Sequence, residues 1–354
     1  MKTNLVQRIC KIATTIVFVS SSLTLPCFAQ ENASENFAEP RGKAIPYAKS
    51  TTPPTDLLLQ LKPAVKGRPI IGLALGGGGM RGAAHIGVLK ALVRAQIPID
   101  LIAGTSMGAI VGGMYCAGID VDSLAQKFAD GSLMKSFMPL SLPLTLASVP
   151  VFAVPKTLDK SDYDGLYSGK KFRKYIDHTV PEYQRNIETL RVPFAAVALN
   201  LVDGKTYALT HGNLGVALQA SSAVPSLREP VRIGNQLFVD GGVVDNIPVD
   251  VARAMGADIV IAVNVNERFD LVPPENFKQV GSVAKRIVTL QLASEAAKHL
   301  QAADFIIHPN VDGIGLTSIK IKDAKTAIDA GEKAAWEVVP SIKERLKQAE
   351  LLTP

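Results

Sequence analysis

The sequence predicts an α/β protein with a largely parallel central sheet and helices on both faces. Three observations lead there. Short, unbroken apolar runs at 70–75 and 259–265 have the length and composition of strands buried on both sides. Stretches with apolar residues at helical spacing, such as 83–95, lie between them. Glycines mark the changeovers, at 76–79 and around Ser106.

The first 29 residues read as an export signal. Lys2, Arg8 and Lys11 precede an apolar run at 12–25, and small residues follow at Cys27 and Ala29. That run is shorter than the roughly 20 residues needed to span a bilayer. Cleavage after Ala29 is expected, which places the protein in the periplasm or outside the cell. A lipid-modified Cys27 is the alternative, against which Pro26 stands directly before it. Residues 30–68, rich in Pro, Ser, Thr, Lys and Glu without periodicity, read as a linker or loosely ordered arm.

Residues 69–354 read as one domain, with a motif-bearing core over 70–251 and further strands and helices over 252–354. Its first strand, 70–75, runs through Gly76–Gly79 into a helix over 83–95 whose Ile86, Leu89, Leu92 and Val93 share a face. A second strand, 99–103, enters Gly104-Thr105-Ser106-Met107-Gly108 and a helix ending near Gly118. Strands are expected at 193–200 and 205–210, and a helix at 213–220. Gly234-Asn235 between 231–233 and 237–239 signals a two-residue hairpin. Buried strands at 259–265 and 305–308 and long helices at 282–303 and 323–347, the latter broken at Pro340, complete the layer.

Charge and cysteine content narrow the function. The formal charge is +6, but half of the excess lies in the export signal and the rest forms no basic run, which argues against nucleic acid. Cys10 and Cys27 belong to the signal, leaving Cys116 as a lone, buried structural thiol. No Cys/His spacing or acidic cluster offers a metal site, and nothing calls for a cofactor.

Three motifs carry chemistry. Gly77-Gly78-Gly79-Met80-Arg81-Gly82 opens a helix, where backbone N–H groups can face an anion. Alone it also fits a dinucleotide-binding turn, with Asp100 as the acidic partner. Ser106 lies in G-x-S-x-G between a strand and a helix, with Gly104 and Gly108 permitting the tight turn of a nucleophile elbow. Asp240-Gly241-Gly242 follows a strand and holds a carboxylate at a loop tip; an isolated copy would read as a turn aspartate.

In this order the three motifs resemble the patatin-like phospholipase family. The stretches Ala84-His85-Ile86-Gly87-Val88-Leu89, Ala220-Ser221-Ser222-Ala223-Val224-Pro225 and Asp245-Asn246-Ile247-Pro248-Val249 are similar too. The resemblance covers about 70–251. It implies a three-layer α/β/α fold, a Ser-Asp dyad of Ser106 and Asp240, an oxyanion hole from the N–H groups of Gly77, Gly78 and Gly79, and hydrolysis of acyl esters in lipids. Arg81 is expected to anchor the glycine loop. A catalytic histidine is the competing arrangement, for which His211 is the candidate, since it follows a core strand. The non-enzymatic alternative is a lipid-binding protein on the same fold.

The expected partner is a lipid or acyl-ester substrate, with transient contact at a membrane surface. Residues 136–155 carry no charge and include Phe137, Leu140, Leu144 and four prolines. The prolines make a membrane-spanning helix the weaker reading. The stretch reads as an apolar flap over the site or a loop packed on the core.

Overall fold

The computed structural model describes residues 45–46, 68–138, 163–266, 272–278 and 282–351. The export signal, most of the polar arm and residues 139–155 of the uncharged stretch lie outside these.

Nine strands form one sheet among the described residues. They are β1 (Ile45–Pro46), β2 (Ile71–Leu75), β3 (Leu101–Thr105), β4 (Phe194–Asn200), β5 (Thr206–Leu209), β6 (Val231–Ile233), β7 (Gln236–Asp240), β8 (Ile259–Val263) and β9 (Phe305–Ile307). The main path runs β1-β5-β4-β3-β2-β8-β9. From β4 to β9 every neighbour is parallel, as the apolar runs predicted. Beyond β4 the sheet turns antiparallel through β5, β1 and the β6–β7 hairpin. The strand at Ile45–Pro46 lies within the segment expected to be a loose arm. It closes the outer edge of β5, where unpaired backbone groups offer a template and Pro46 is tolerated. The strand predicted at 305–308 is only half buried, because β9 is the sheet's edge and Ile306 faces solvent.

Helices cover both faces. They are α1 (Ala84–Arg94), α2 (Met107–Cys116), α3 (Val121–Ala129), α4 (Ser132–Phe137), α5 (Lys170–Thr179), α6 (Leu214–Ser221), α7 (Val249–Ala254), α8 (Ser282–Leu300) and α9 (Ile321–Leu351). Because side chains alternate along a strand, Leu73, Leu75, Ile102, Ile261 and Val263 face one core with Ile86, Leu89 and Ile110. Ala74, Ala103, Ala195 and Ala262 face the other, where Val249, Val251 and Ala296 pack. Small residues on that second face let α7 approach closely.

Two local expectations are corrected. Val93, assigned to the buried face of α1, is 44% exposed, because it sits one residue round the helix from Leu92. The break expected at Pro340 is absent, and α9 runs through it as one helix. Pro340 lies on the solvent side, where water can satisfy the carbonyl that its ring leaves without a donor. Cys116 is a buried free thiol, and burial pushes its pKa well up.

Candidate active site

Strand register alone brings two of the motifs together. A strand has two edges, and β5 occupies one edge of β4 at residues 196–199. Strands β3 and β7 must therefore share the other. There Thr105 pairs with Val197, and Asp240 pairs with Ala198, the next residue along. The carboxyl ends of β3 and β7 thus meet head-on, and Ser106 and Asp240 leave the sheet at one point.

Ser106 turns the chain from β3 into α2 with φ 53° and ψ −118°, a conformation costly for any residue with a Cβ. Packing enforces it. A Cβ on Gly104 would lie 2.7 Å from Ala109 Cα, and one on Gly108 2.2 Å from the Leu75 carbonyl oxygen. The Ser106 amide donates to Ser221 Oγ (3.0 Å), and that hydroxyl donates to the Val197 carbonyl (2.6 Å). α6 is thereby tied to both β4 and the elbow.

The Ser106 hydroxyl donates to Asp240 Oδ2 at 2.7 Å, and Asp240 Oδ1 accepts the Gly242 amide at 2.8 Å. Burial lifts the Asp240 carboxyl to about 6, against the pull of the Ser106 hydroxyl, the Gly242 amide and the Arg228 charge. Arg228 is itself 2% exposed. Its guanidinium lies 4.1 Å from the Phe137 ring centre and 4.9 Å from that of Phe172, and donates to the Phe137 carbonyl at 3.2 Å. Its Nε and Nη1 have no hydrogen-bond partner among the described residues. Burial depresses Arg228 to about 9, and the charge of Asp240 opposes that. Phe137, the second residue of the uncharged stretch, is therefore core rather than flap.

The glycine loop lies on the other side of Ser106. Of the three expected oxyanion donors, Gly77 is corrected: its N–H is engaged by the Asn246 carbonyl at 3.1 Å. Gly77 serves close approach, since a Cβ there would stand 3.1 Å from Ser106 Cβ. The N–H groups of Gly78 and Gly79 donate to no described residue. Gly79 has φ 53°, and a Cβ there would lie 2.1 Å from the Leu316 carbonyl oxygen. Gly82 packs on Met107 and Gly241 on the Val197 carbonyl, while Gly242 faces Asn246 Oδ1. Arg81 ties the loop to the segment before α9, its Nε donating to the Ile314 carbonyl at 2.6 Å. His85 braces it from below, with Nε2 donating to the Gly76 carbonyl at 2.7 Å; burial lowers that ring to about 4 and keeps it neutral.

No described histidine hydrogen-bonds to Ser106 or Asp240, and the Nδ1 of His211 meets Thr210 Oγ1. Asp100, the acid that the dinucleotide reading required, precedes β3 at the amino end of the sheet, where Arg68 and the Ile71 amide hold it. The glycine loop is at the carboxyl end, where such a ligand binds. Sequence reasoning missed Ser221, Asn246 and Arg228. The first two lie in stretches that carry the family resemblance, whereas Arg228 has no local signal.

A strained serine hydrogen-bonded to a buried aspartate thus stands at the carboxyl end of an α/β sheet. The chain belongs to the patatin-like phospholipase family, whose sequence profile matches residues 73–253. It is 33% identical over 205 residues to the patatin-like phospholipase domain-containing protein 7 of Mus musculus, covering 56% of this chain and 14% of that protein. It is likewise 33% identical over 206 residues to the lysophospholipase nte1 of Emericella nidulans, covering 57% of this chain and 12% of that one. The chain therefore corresponds to a small part of these relatives' length. Among solved structures, VipD from Legionella pneumophila aligns with 78% of this chain and 67% of its own at 14% identity and a TM-score of 0.43.

Proposed function

We propose that the protein is a serine-dependent acyl hydrolase acting on phospholipid or lysophospholipid esters through a Ser106–Asp240 dyad. The 2.7 Å hydrogen bond from the Ser106 hydroxyl to Asp240, at a strained elbow, carries the reading. The names of the mouse and fungal relatives support the substrate class.

In this mechanism Ser106 Oγ attacks the acyl carbonyl while Asp240 takes its proton. The carboxylate that accepts from the Gly242 amide keeps its other oxygen aimed at Ser106. The tetrahedral oxyanion forms beside the glycine loop, where the N–H groups of Gly78 and Gly79, which donate to no described residue, stabilise it. Such donors typically contribute about 3–4 kcal/mol each. The first-turn N–H groups of α2, which have no intrahelical acceptors, add positive potential at the same place. Asp240 then gives its proton to the leaving alcohol, and water releases the acyl group by the reverse sequence.

The test is labelling with a fluorophosphonate probe alongside hydrolysis of a short-chain ester. The wild type should react at Ser106 only. Ser106→Ala should abolish both signals, and Asp240→Asn should lower turnover by about 10²-fold or more while keeping the fold. An Asp240→Asn protein of nearly full activity would assign the base elsewhere.

The reading extends to location: export with cleavage after Ala29, checked by N-terminal sequencing of exported protein, where a lipid-modified Cys27 terminus would overturn it. It also implies contact with a lipid surface.

A further inference from the structure

The glycine loop is covered from outside by the segment that leads into α9. The Leu316 carbonyl accepts the Met80 amide at 3.0 Å, the Ile314 carbonyl accepts Arg81, and Gly79 has no room for a Cβ beneath Leu316. The outer side of this segment is unusual for a protein surface. Leu316 is 52%, Ile319 45% and Ile321 54% exposed. Lys320, Lys322 and Lys325 are exposed among them.

Both features run against stability. Exposed large aliphatic groups that cluster have a use when they meet an apolar partner. Lysines at a helix start face the positive end of its dipole, where acidic residues are stabilising. The only acid in the first turn of α9, Asp323, is hydrogen-bonded to Ser318 Oγ at 2.5 Å. Apolar groups and cations interleaved on one exposed strip are the complement of an anionic lipid surface. There, aliphatic side chains enter the acyl region while ammonium groups meet phosphates. The strip is also in the right place. β3, which ends at the Ser106 turn, pairs along one edge with β2, which feeds the glycine loop, and meets end to end with β7, which ends at Asp240. Past Asp240, Val243 and Val244 are 46% and 44% exposed. Exposed apolar groups therefore adjoin both the glycine loop and Asp240, the two segments that meet Ser106.

We propose that residues 316–325 dock the protein onto an anionic phospholipid surface, setting the glycine loop and Ser106 against the lipid. The proposal rests on the lipid-hydrolase reading for its purpose, but its test does not depend on turnover. Binding is measured with the full chain carrying Ser106→Ala, by co-sedimentation with vesicles of phosphatidylcholine alone or with added phosphatidylglycerol. The protein should bind the anionic vesicles preferentially, and rising salt should weaken it. Lys320→Gln/Lys322→Gln/Lys325→Gln and, separately, Ile319→Ser/Ile321→Ser should each lower that binding at least about tenfold. In chains with Ser106 intact, both variants should keep short-ester kcat/KM within about twofold and lose hydrolysis of vesicle phospholipid.

Unchanged vesicle binding in both variants overturns the proposal, as does equal affinity for neutral and anionic vesicles. A wild-type dimer that the isoleucine variant dissociates would assign the strip to a second copy and equally overturn it. Should the isoleucine variant fail to fold, the lysine variant decides alone, since its side chains are on the surface. Absence of probe labelling and short-ester turnover in the wild type would defeat the hydrolase reading and leave the vesicle result standing by itself.

Discussion

An aspartate in water has a pKa of ~3.9 and is too weak a base to draw a proton from a serine hydroxyl near neutral pH. Burial changes this for Asp240, lifting it to about 6, where it is still ionised at neutral pH but holds a proton more strongly. Its charged form is the base. The kcat/KM for a short-chain ester should therefore rise with pH through about 6 and fall away below it, as the carboxyl protonates. A profile flat from about pH 5 to about pH 8 would remove Asp240 from that role. Arg228 makes a sharper test, because its charge holds the Asp240 value down. Arg228→Met should move the rising limb to higher pH, with Met filling the space between Phe137 and Phe172. The substitution removes two buried, unpartnered nitrogens but also leaves the Asp240 carboxylate without its counter-charge and the Phe137 carbonyl without its donor. It should therefore cost about 3–5 kcal/mol of stability where Asp240 is ionised. An unmoved limb would show that Arg228 acts on packing alone. This residue marks where sequence reading ended. Ser106 and Asp240 announce themselves through their glycine neighbours, whereas a buried arginine between two rings distant in sequence has no local pattern.

At the scale of elements, the strands were legible wherever burial on both faces left an unbroken apolar run, and their ends moved by one or two residues. The head-on meeting of β3 and β7 was not legible, since it depends on how two distant strands divide one edge of β4. The break expected at Pro340 failed because its cost depends on which way the proline faces. That exposure yields a prediction. Pro340→Ala restores a helix donor at an open position and should stabilise the protein by about 1–3 kcal/mol in chemical denaturation, with activity unchanged. A loss of stability would mean that the proline's bend fits α9 to its neighbours. The elbow behaves oppositely. Gly108→Ala would push a methyl group to 2.2 Å from a main-chain oxygen of β2, with backbone on both sides and nothing free to yield. It should cost about 2–4 kcal/mol and abolish probe labelling at Ser106 together. Labelling at the wild-type rate would separate the serine's reactivity from the elbow's geometry.

Over the whole molecule, the three motifs were readable in order because each is local, and the family match ends near them, at residue 253. The structure does not end there. β8 pairs with β2 inside the sheet, β9 follows β8, and α9 lies along α1. The helix contact is backbone to backbone at two reciprocal glycines: a Cβ on Gly87 would lie 1.9 Å from the Ile328 carbonyl oxygen, and one on Gly331 2.0 Å from that of Ala84. Ala327, Ala335, Val339 and Ile342 of α9 are buried in the same core as Ile86 and Leu89. The region after the motifs is thus the second half of the core and the outer wall of the glycine loop, a role that no motif in it revealed. A chain ending after Val311 would keep every motif and lose the carbonyls of Ile314 and Leu316 together with α9. It would expose the apolar side of α1, with several buried aliphatic side chains at about 1.5–3 kcal/mol each, more than a domain's usual margin of about 5–15 kcal/mol can absorb. The truncated chain should show no cooperative thermal transition and no fluorophosphonate labelling. The full-length Gly331→Val variant should fold with a clearly lowered Tm, which separates loss of the helix contact from loss of the chain. A truncated chain that folds and labels at the wild-type rate would make 312–354 an appendage, and the support of the glycine loop would then have to come from β2, β8, His85 and Asn246.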